Sequence, residues 1–276
     1  MGVGAATAFA QPTVPPQPTV PPQPTVGPVR AGTFTCRASA LRLGPALLGT
    51  TIEPAIANAQ DTPCVTDSTS FPGGTLSSLS GTTNPLLSLV SNTLNSLGLG
   101  ATLSNLGLGS LVGGTTGTGL LSGLSVGLLN ASTTNNTPST TPAAGDSASA
   151  HSSVASLTLG TLNVGALQSS ATVTCTASGN GTLTPTFTSS SNVASVSGTS
   201  LTIAGVTVTL PSPILDVTGP LTVTVGGQLL TVFLNRDITT ANSVTRRALE
   251  IDLGGQVLLV AGESTADFTG NPCSTA

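Results

Sequence analysis

Threonine and serine alternate with small apolar residues along much of this chain, and that period of two commits it to β-structure. In Ala171, Val173, Cys175 and Ala177 every second residue is apolar while Thr172, Thr174 and Thr176 face the other way. This is the pattern of a half-buried strand. Phe34, Cys36 and Ala38 alternate with Thr and Arg in the same manner, as do Leu221, Val223 and Val225 with Thr. Leu249, Ile251 and Leu253 face one way, with Ala248, Glu250 and Asp252 opposed. Leu201-Ile203 and Val206-Val208 flank a phase slip at Ala204-Gly205, which reads as a β-bulge. Gly226-Gly227 and Gly254-Gly255 supply two-residue hairpin signals. Short strands at this spacing, with no long helical pattern, predict an all-β fold, an antiparallel β-sandwich.

Such a sandwich needs solvated outer faces, and here charge cannot supply them. Charged residues are 6% of 276, against about 25% in an ordinary soluble domain. The outer faces must therefore be hydroxyl faces. The basic residues are six arginines, set against ten carboxylates, with no Lys, Tyr or Trp. A nucleic-acid partner is excluded, because neither a basic footprint nor stacking aromatics exist. Acidic disorder is excluded by 38% hydrophobic residues. A Walker A loop is excluded by the missing lysine. No apolar run reaches about 18 residues, so no transmembrane segment is expected.

Composition divides the chain into five stretches. Residues 1–10 are small and apolar and end Ala8-Phe9-Ala10 before Gln11. That pattern reads as the end of a signal peptide, whose start is expected upstream. Residues 11–30 repeat Gln-Pro-Thr-Val-Pro-Pro, a polyproline II spacer. Residues 31–71 form an N-terminal β block. Residues 72–144 are built almost wholly from Leu, Gly, Ser, Thr and Asn. Leu86, Val90, Leu94 and Leu97 have helical spacing there, and Thr133 to Thr141 reads as a linker. The stretch is expected to be a low-complexity, weakly ordered insertion whose deletion leaves the rest folded. Residues 145–276 form the main β-sandwich domain.

The four cysteines allow three pairings, and an internal echo selects one. Thr33 to Ser39 around Cys36 resembles Thr172 to Ser178 around Cys175, and each is followed by Pro-Cys, at Pro63-Cys64 and Pro272-Cys273. The expected disulfides are Cys36–Cys64 and Cys175–Cys273, each closing its own unit. A zinc site would need C-x₂-C or Cys/His clusters, which are missing.

Six segments carry a family resemblance: AGTFTCRASALRL (31–43), EPAIANAQDTPCVTD (53–67), SASAHSSVASLTLG (147–160), SSATVTCTASG (169–179), TVFLNRDITT (231–240) and ALEIDLGGQVLLVAGESTADFTGNPC (248–273). They resemble the choice-of-anchor P family, secreted proteins of high-GC Gram-positive bacteria, over about 31–71 and 145–276. The resemblance implies export, a β-rich extracellular domain and variable C-terminal anchors. No L-P-x-T-G motif or apolar tail follows Cys273, so release or non-covalent retention is expected. The family supplies no catalytic residues to carry over.

Motifs that could carry chemistry are few. Gly123-Leu124-Ser125-Val126-Gly127 matches the G-x-S-x-G nucleophile elbow, which needs a strand before it, a helix after it, and acid and His partners. Chance matches are common in such composition. The one histidine, His151, lies among serines and reads as a surface residue. Glu250 and Asp252 share a strand face near Arg236, Asp237, Arg246 and Arg247. Paired carboxylates serve glycosidases, but a solvated ion-pair cluster on a charged edge is the simpler reading. No catalytic, cofactor-binding or metal residue is expected, and no cofactor. The expected function is an exported, non-enzymatic, extracellular β-rich protein with a structural or interaction role. The alternative is an adhesin-like module for cell-wall components, lipid or a partner protein, and a secreted hydrolase stands third.

Overall fold

In the computed structural model, residues 29–44, 51, 53–75, 124–198, 200–203, 206–209, 219–225 and 227–276 are described. Among them there is no helix. The strands are β1 (Arg30–Leu43), β2 (Ile56–Ala57), β3 (Asp67–Phe71), β4 (Gly74–Thr75), β5 (Ser125–Val126), β6 (Leu129–Asn136), β7 (Ser147–Val154), β8 (Leu157–Leu159) and β9 (Leu162–Val164). They continue with β10 (Leu167–Ala177), β11 (Leu183–Val193), β12 (Val196–Ser197), β13 (Ser200–Ile203), β14 (Val206–Thr209), β15 (Leu221–Val225), β16 (Gln228–Thr239), β17 (Ser243–Leu253) and β18 (Gln256–Thr275). The expected antiparallel sandwich is what these strands build.

The first layer runs β15-β16-β17-β18-β1-β2. Its C-terminal half is a meander of tight hairpins. Val225 pairs with Gln228 across the first glycine pair, and Leu253 with Gln256 across the second. Gly254 and Gly255 have φ of 58° and 80°, the left-handed values that a type I′ turn demands at both central positions. β1, the first strand among the described residues, then joins β18, the last. β1 pairs with β18 from Ala31↔Asn271 to Leu43↔Leu259. The 31–71 block is therefore not a separate unit. β1 lies inside the first layer, β2 forms its edge, and β3 forms the edge of the second.

The second layer has two sheets with the same lateral order, β11-β10-β7-β6-β3 and β12-β9-β8-β5-β4. They are one five-stranded ribbon with a crease across it. Backbone bonds carry on over the crease: Gly127 N–H to Ser156 O at 2.8 Å, Ala155 N–H to Leu128 O at 2.9 Å, and Gly165 N–H to Ser195 O at 2.8 Å. The insertion assigned to 72–144 is corrected at both ends. β4, β5 and β6 fall within it, and β6 stands between β7 and β3. Leu124, Leu129 and Ala131 are buried, and Thr133 is buried as well, its hydroxyl donating to Val65 O at 2.8 Å. The helical spacing of Leu86 to Leu97 lies outside the described residues. The phase slip at Ala204-Gly205 lies outside the described residues; the strands on either side of it, β13 and β14, pair antiparallel from Ser200↔Thr209 to Ile203↔Val206.

The core between the layers changes character along its length. One end is leucine and valine, including Leu41, Leu129, Leu167, Leu249 and Leu259. The waist is alanine, with Ala38, Ala57, Ala131 and Ala150. Beside it, the hydroxyls of Ser152 and Ser169 lie 2.8 Å apart and those of Ser169 and Ser264 2.7 Å apart, all three residues buried. The other end holds Phe34, Phe268, Val173 and all four cysteines. Phe187 stacks on Phe268 with ring centroids 5.7 Å apart. Both expected disulfides are present, Cys36–Cys64 and Cys175–Cys273. The second joins the layers, β10 to β18.

Two expectations follow. Deleting 72–144 removes β6 from the middle of the second layer, so the shortened chain should lose its cooperative thermal transition; retention of that transition would refute β6 as a core strand. The bridges span 28 and 98 residues, worth about 3.6 and 4.7 kcal/mol by loop-closure entropy. Replacing Cys175 and Cys273 together by serine should cost about 1 kcal/mol more than replacing Cys36 and Cys64, as read from urea unfolding.

Candidate functional site

The first layer carries a crease of its own, and it gathers half of the charged residues in the chain. Four residues drop out of the ladder in one row: Asn235 on β16, Ala248 on β17, Gly262 on β18 and Ala40 on β1. The pairs on either side remain, Leu234↔Leu249 with Arg236↔Arg247, and Ser39↔Glu263 with Leu41↔Ala261. Asn235 and Gly262 have left-handed φ, 53° and 69°. Each interrupted strand shifts its alternation by one there. Ala248, Leu249 and Ile251 all enter the core, so Ala248 does not share the face of Glu250 as the plain alternation requires.

This shift puts residues at odd separations on one face, which a regular strand forbids. Arg37 and Arg42 meet at Glu263, with Arg37 Nη1 to Oε1 at 2.6 Å and Arg42 Nη2 to Oε2 at 2.7 Å. Arg247 binds the same carboxylate through Nε at 2.6 Å and reaches Glu250 through Nη1 at 2.7 Å. Arg236 also pairs with Glu250, lies 3.8 Å from Asp252, and stacks 4.2 Å over the Phe233 ring. Arg37 closes the other end on Glu53. The result is a ladder of alternating sign: Glu53, Arg37, Glu263, Arg247, Glu250, Arg236, Asp252. Glu250 is fully buried and Glu263 is 2% exposed. The solvated cluster expected at Glu250 and Asp252 is corrected accordingly, because the crease turns both into a packed row of partners.

Burial sets the electrostatics. It would push the Glu263 carboxyl up, but the guanidiniums of Arg42, Arg247 and Arg37 outweigh it and hold the group below its ordinary value. Burial lowers Arg42, with Glu263 in its favour and Arg247 and Arg37 against. At the far end burial and the neighbouring Glu250 raise Asp252 to about 6. Its Oδ1 is buried without a hydrogen-bond partner, an environment that disfavours the charged form.

Above the Glu263 end lies a polar cavity of about 230 Å³, bounded by β1, β17, β18 and the loop carrying Gln60 and Asp61. That loop is fixed. Asn58 donates through Nδ2 to Cys36 O at 2.8 Å and to Pro63 O at 3.1 Å, and the Cys36–Cys64 bridge closes it.

The remaining candidates scatter. Gly123 lies outside the described residues. Ser125 sits on two-residue β5 and runs on into strand β6, so the strand-turn-helix of a nucleophile elbow is not formed. His151 is exposed on β7, in a cross-strand row with Ser132 and Ser170. Among the described residues no cluster of His, Cys, Asp and Glu has a metal-holding arrangement, and no helix is long and apolar enough to cross a membrane. Sequence reasoning anticipated ion pairs among Arg236, Arg247, Glu250 and Asp252 but missed their burial and their continuation through Glu263, Arg37, Arg42 and Glu53. The available signal was a chain that uses only arginine as its base and confines all six to 30–42 and 236–247, since arginine suits buried ion pairs.

Asp252 and Glu263 give opposite pH dependences. The raised Asp252 contributes stability below its unfolded value, 3.8, which is lost as pH climbs through about 6. The lowered Glu263 contributes stability above its ordinary range that is lost on acidification. Asp252→Asn should therefore raise the melting temperature at pH 7, leave it nearly unchanged at pH 4, and flatten the slope between; calorimetry across that range decides it.

No family model, curated protein or solved structure matched the chain.

Proposed function

We propose that this chain is an exported β-rich protein of a bacterial envelope or extracellular space, with a structural or interaction role rather than a catalytic one. The observation that carries this reading is the pair of buried disulfides at one end of the core. Such bonds persist in oxidising compartments and are rare in the cytosol. The Ala8-Phe9-Ala10 site, the proline spacer and the resemblance to the choice-of-anchor P family support the same compartment. All six arginines are engaged in ion pairs, so the chain's cationic chemistry goes into holding strands together.

A second reading, an adhesin-like module, draws on the outer face of the second layer. Cross-strand rows there read Ser68, Ser132, His151, Ser170, Ser190 and Thr134, Ser149, Thr172, Thr188. This broad face bears hydroxyls and no formal charge.

Fractionation of a producing culture tests the main reading. The protein is expected in the medium or wall fraction, beginning near Gln11, with the 36–64 and 175–273 peptides linked under non-reducing mapping. Reduced, cytoplasmic protein would overturn export. Retention on isolated cell walls, with release by a competing soluble wall polymer, would favour the adhesin-like alternative over an inert scaffold.

A further inference from the structure

The outer face of the second layer holds a shallow depression of about 120 Å³. Its lining is Ser169, Ser170, Ser190, Ser191, His151, Gln168 and Asn192. It offers hydroxyl, amide and imidazole groups, with no carboxylate, guanidinium, aliphatic or aromatic side chain.

The strand register builds this patch. His151 on β7, Ser170 on β10 and Ser190 on β11 form one cross-strand row, and Gln168 and Asn192 pair in the next. With strands about 4.8 Å apart and about 3.4 Å per residue, those five groups occupy roughly 10 by 7 Å. Both rows carry on without a charge to the far edge of the layer. His151 is followed by Ser132 and Ser68, and Gln168 by Ser153, Asn130 and Ser70.

The hydrogen-bonding groups of the depression are only partly used. Ser170 and Ser190 bond to each other at 2.8 Å. Among the described residues the side chains of Gln168, Asn192 and His151 have no hydrogen-bond partner, and Ser191 Oγ is buried without one. Charge then decides the class of ligand. An acidic polymer finds no free cation, since all six arginines are in ion pairs elsewhere, and the chain carries a net charge of -4. An apolar partner finds no apolar side chain to cover. A neutral polyol fits, because each of its hydroxyls both donates and accepts, as hydroxyl and amide side chains require. One small polyol only exchanges with water, for little net gain. A chain of sugar units repeats the contact along rows that cross five strands, and linked contacts reinforce one another.

We propose that this depression and the two rows crossing it bind an uncharged polysaccharide, which lies across the strands and hydrogen-bonds through its hydroxyls to Gln168, Asn192, Ser170, Ser190 and His151. The proposal rests on the adhesin-like reading and names its ligand class.

Affinity electrophoresis of the oxidised full chain through gels containing dextran, mannan or galactan tests this, with polygalacturonate as the anionic polymer. Retardation by at least one neutral polymer is expected, at least tenfold stronger than by polygalacturonate. Replacing Gln168 and Asn192 together by alanine should weaken it about tenfold with the melting temperature unchanged, because both residues are exposed. Asn136→Ala, on β6 toward the other end of the same face, should leave it unchanged. The proposal is overturned if none of the three neutral polymers retards the chain, or if polygalacturonate retards it equally. An unchanged affinity in the double variant, or equal weakening by Asn136→Ala, also overturns it. Retention on isolated walls without affinity for these neutral polymers would defeat this ligand class alone and leave the adhesin-like reading standing.

Discussion

The pairing of β1 with β18 is the constraint on which the rest of the structure depends. It joins residues more than two hundred positions apart, from Ala31↔Asn271 to Leu43↔Leu259, so both ends of the chain must be in place before the first layer exists. Both disulfides and the Arg30–Asp146 ion pair start from these two strands. β1 carries Cys36 into its bridge, and β18 carries Cys273 across to β10. Arg30, at the start of β1, donates to Pro272 O at 2.9 Å and to Ser139 O at 3.0 Å, and it pairs with Asp146. Loop closure over such separations is entropically expensive, and the long bridge offsets part of that cost in the unfolded chain.

The second constraint is the poverty in large side chains. With six Phe and no Trp or Tyr, the chain cannot fill a wide gap between sheets, so it narrows the gap. Alanine, serine and Gly262 line the waist, where a Cβ on Gly262 would come within 3.8 Å of Ser152 Oγ in the facing layer. Close approach brings buried hydroxyls together, and they satisfy one another rather than stand unpaired, which is the condition for burying them cheaply. Creases in both layers accompany this approach. In the first layer they are realised by residues that leave the ladder, two of them with left-handed φ.

What was legible in the sequence follows from these two facts. Local period-two alternation was readable, and so were the hairpins at the glycine pairs and the disulfide partners, because each is written within a few residues. β6 was not. In Leu129-Asn130-Ala131-Ser132-Thr133 the third inward position is a threonine whose hydroxyl is satisfied by Val65 O, and composition alone makes such a strand look like a linker. The destination of β1 was not legible either, since no local pattern records a partner at the other end of the chain. Nor was the phase shift at Ala248-Leu249. Two consecutive inward residues register as noise in an alternating pattern unless the neighbouring strands are known to shift in the same row.

That shared row explains why the charges lie where they do. Three of the four arginines in the ladder stand within two residues of a shifted position: Arg42 beside Ala40, Arg236 beside Asn235 and Arg247 beside Ala248. A crease opens regular side-chain spacing on one face, and long arginine side chains can span what serine and threonine cannot. Removing one partner from such a network leaves an uncompensated buried charge, a loss of about 3–5 kcal/mol in comparable cases. The ladder therefore makes the crease costly to straighten, just as the crease makes the ladder geometrically possible. In a chain with so few charges, concentrating them at this fold line leaves the broad outer face of the second layer to hydroxyls and amides.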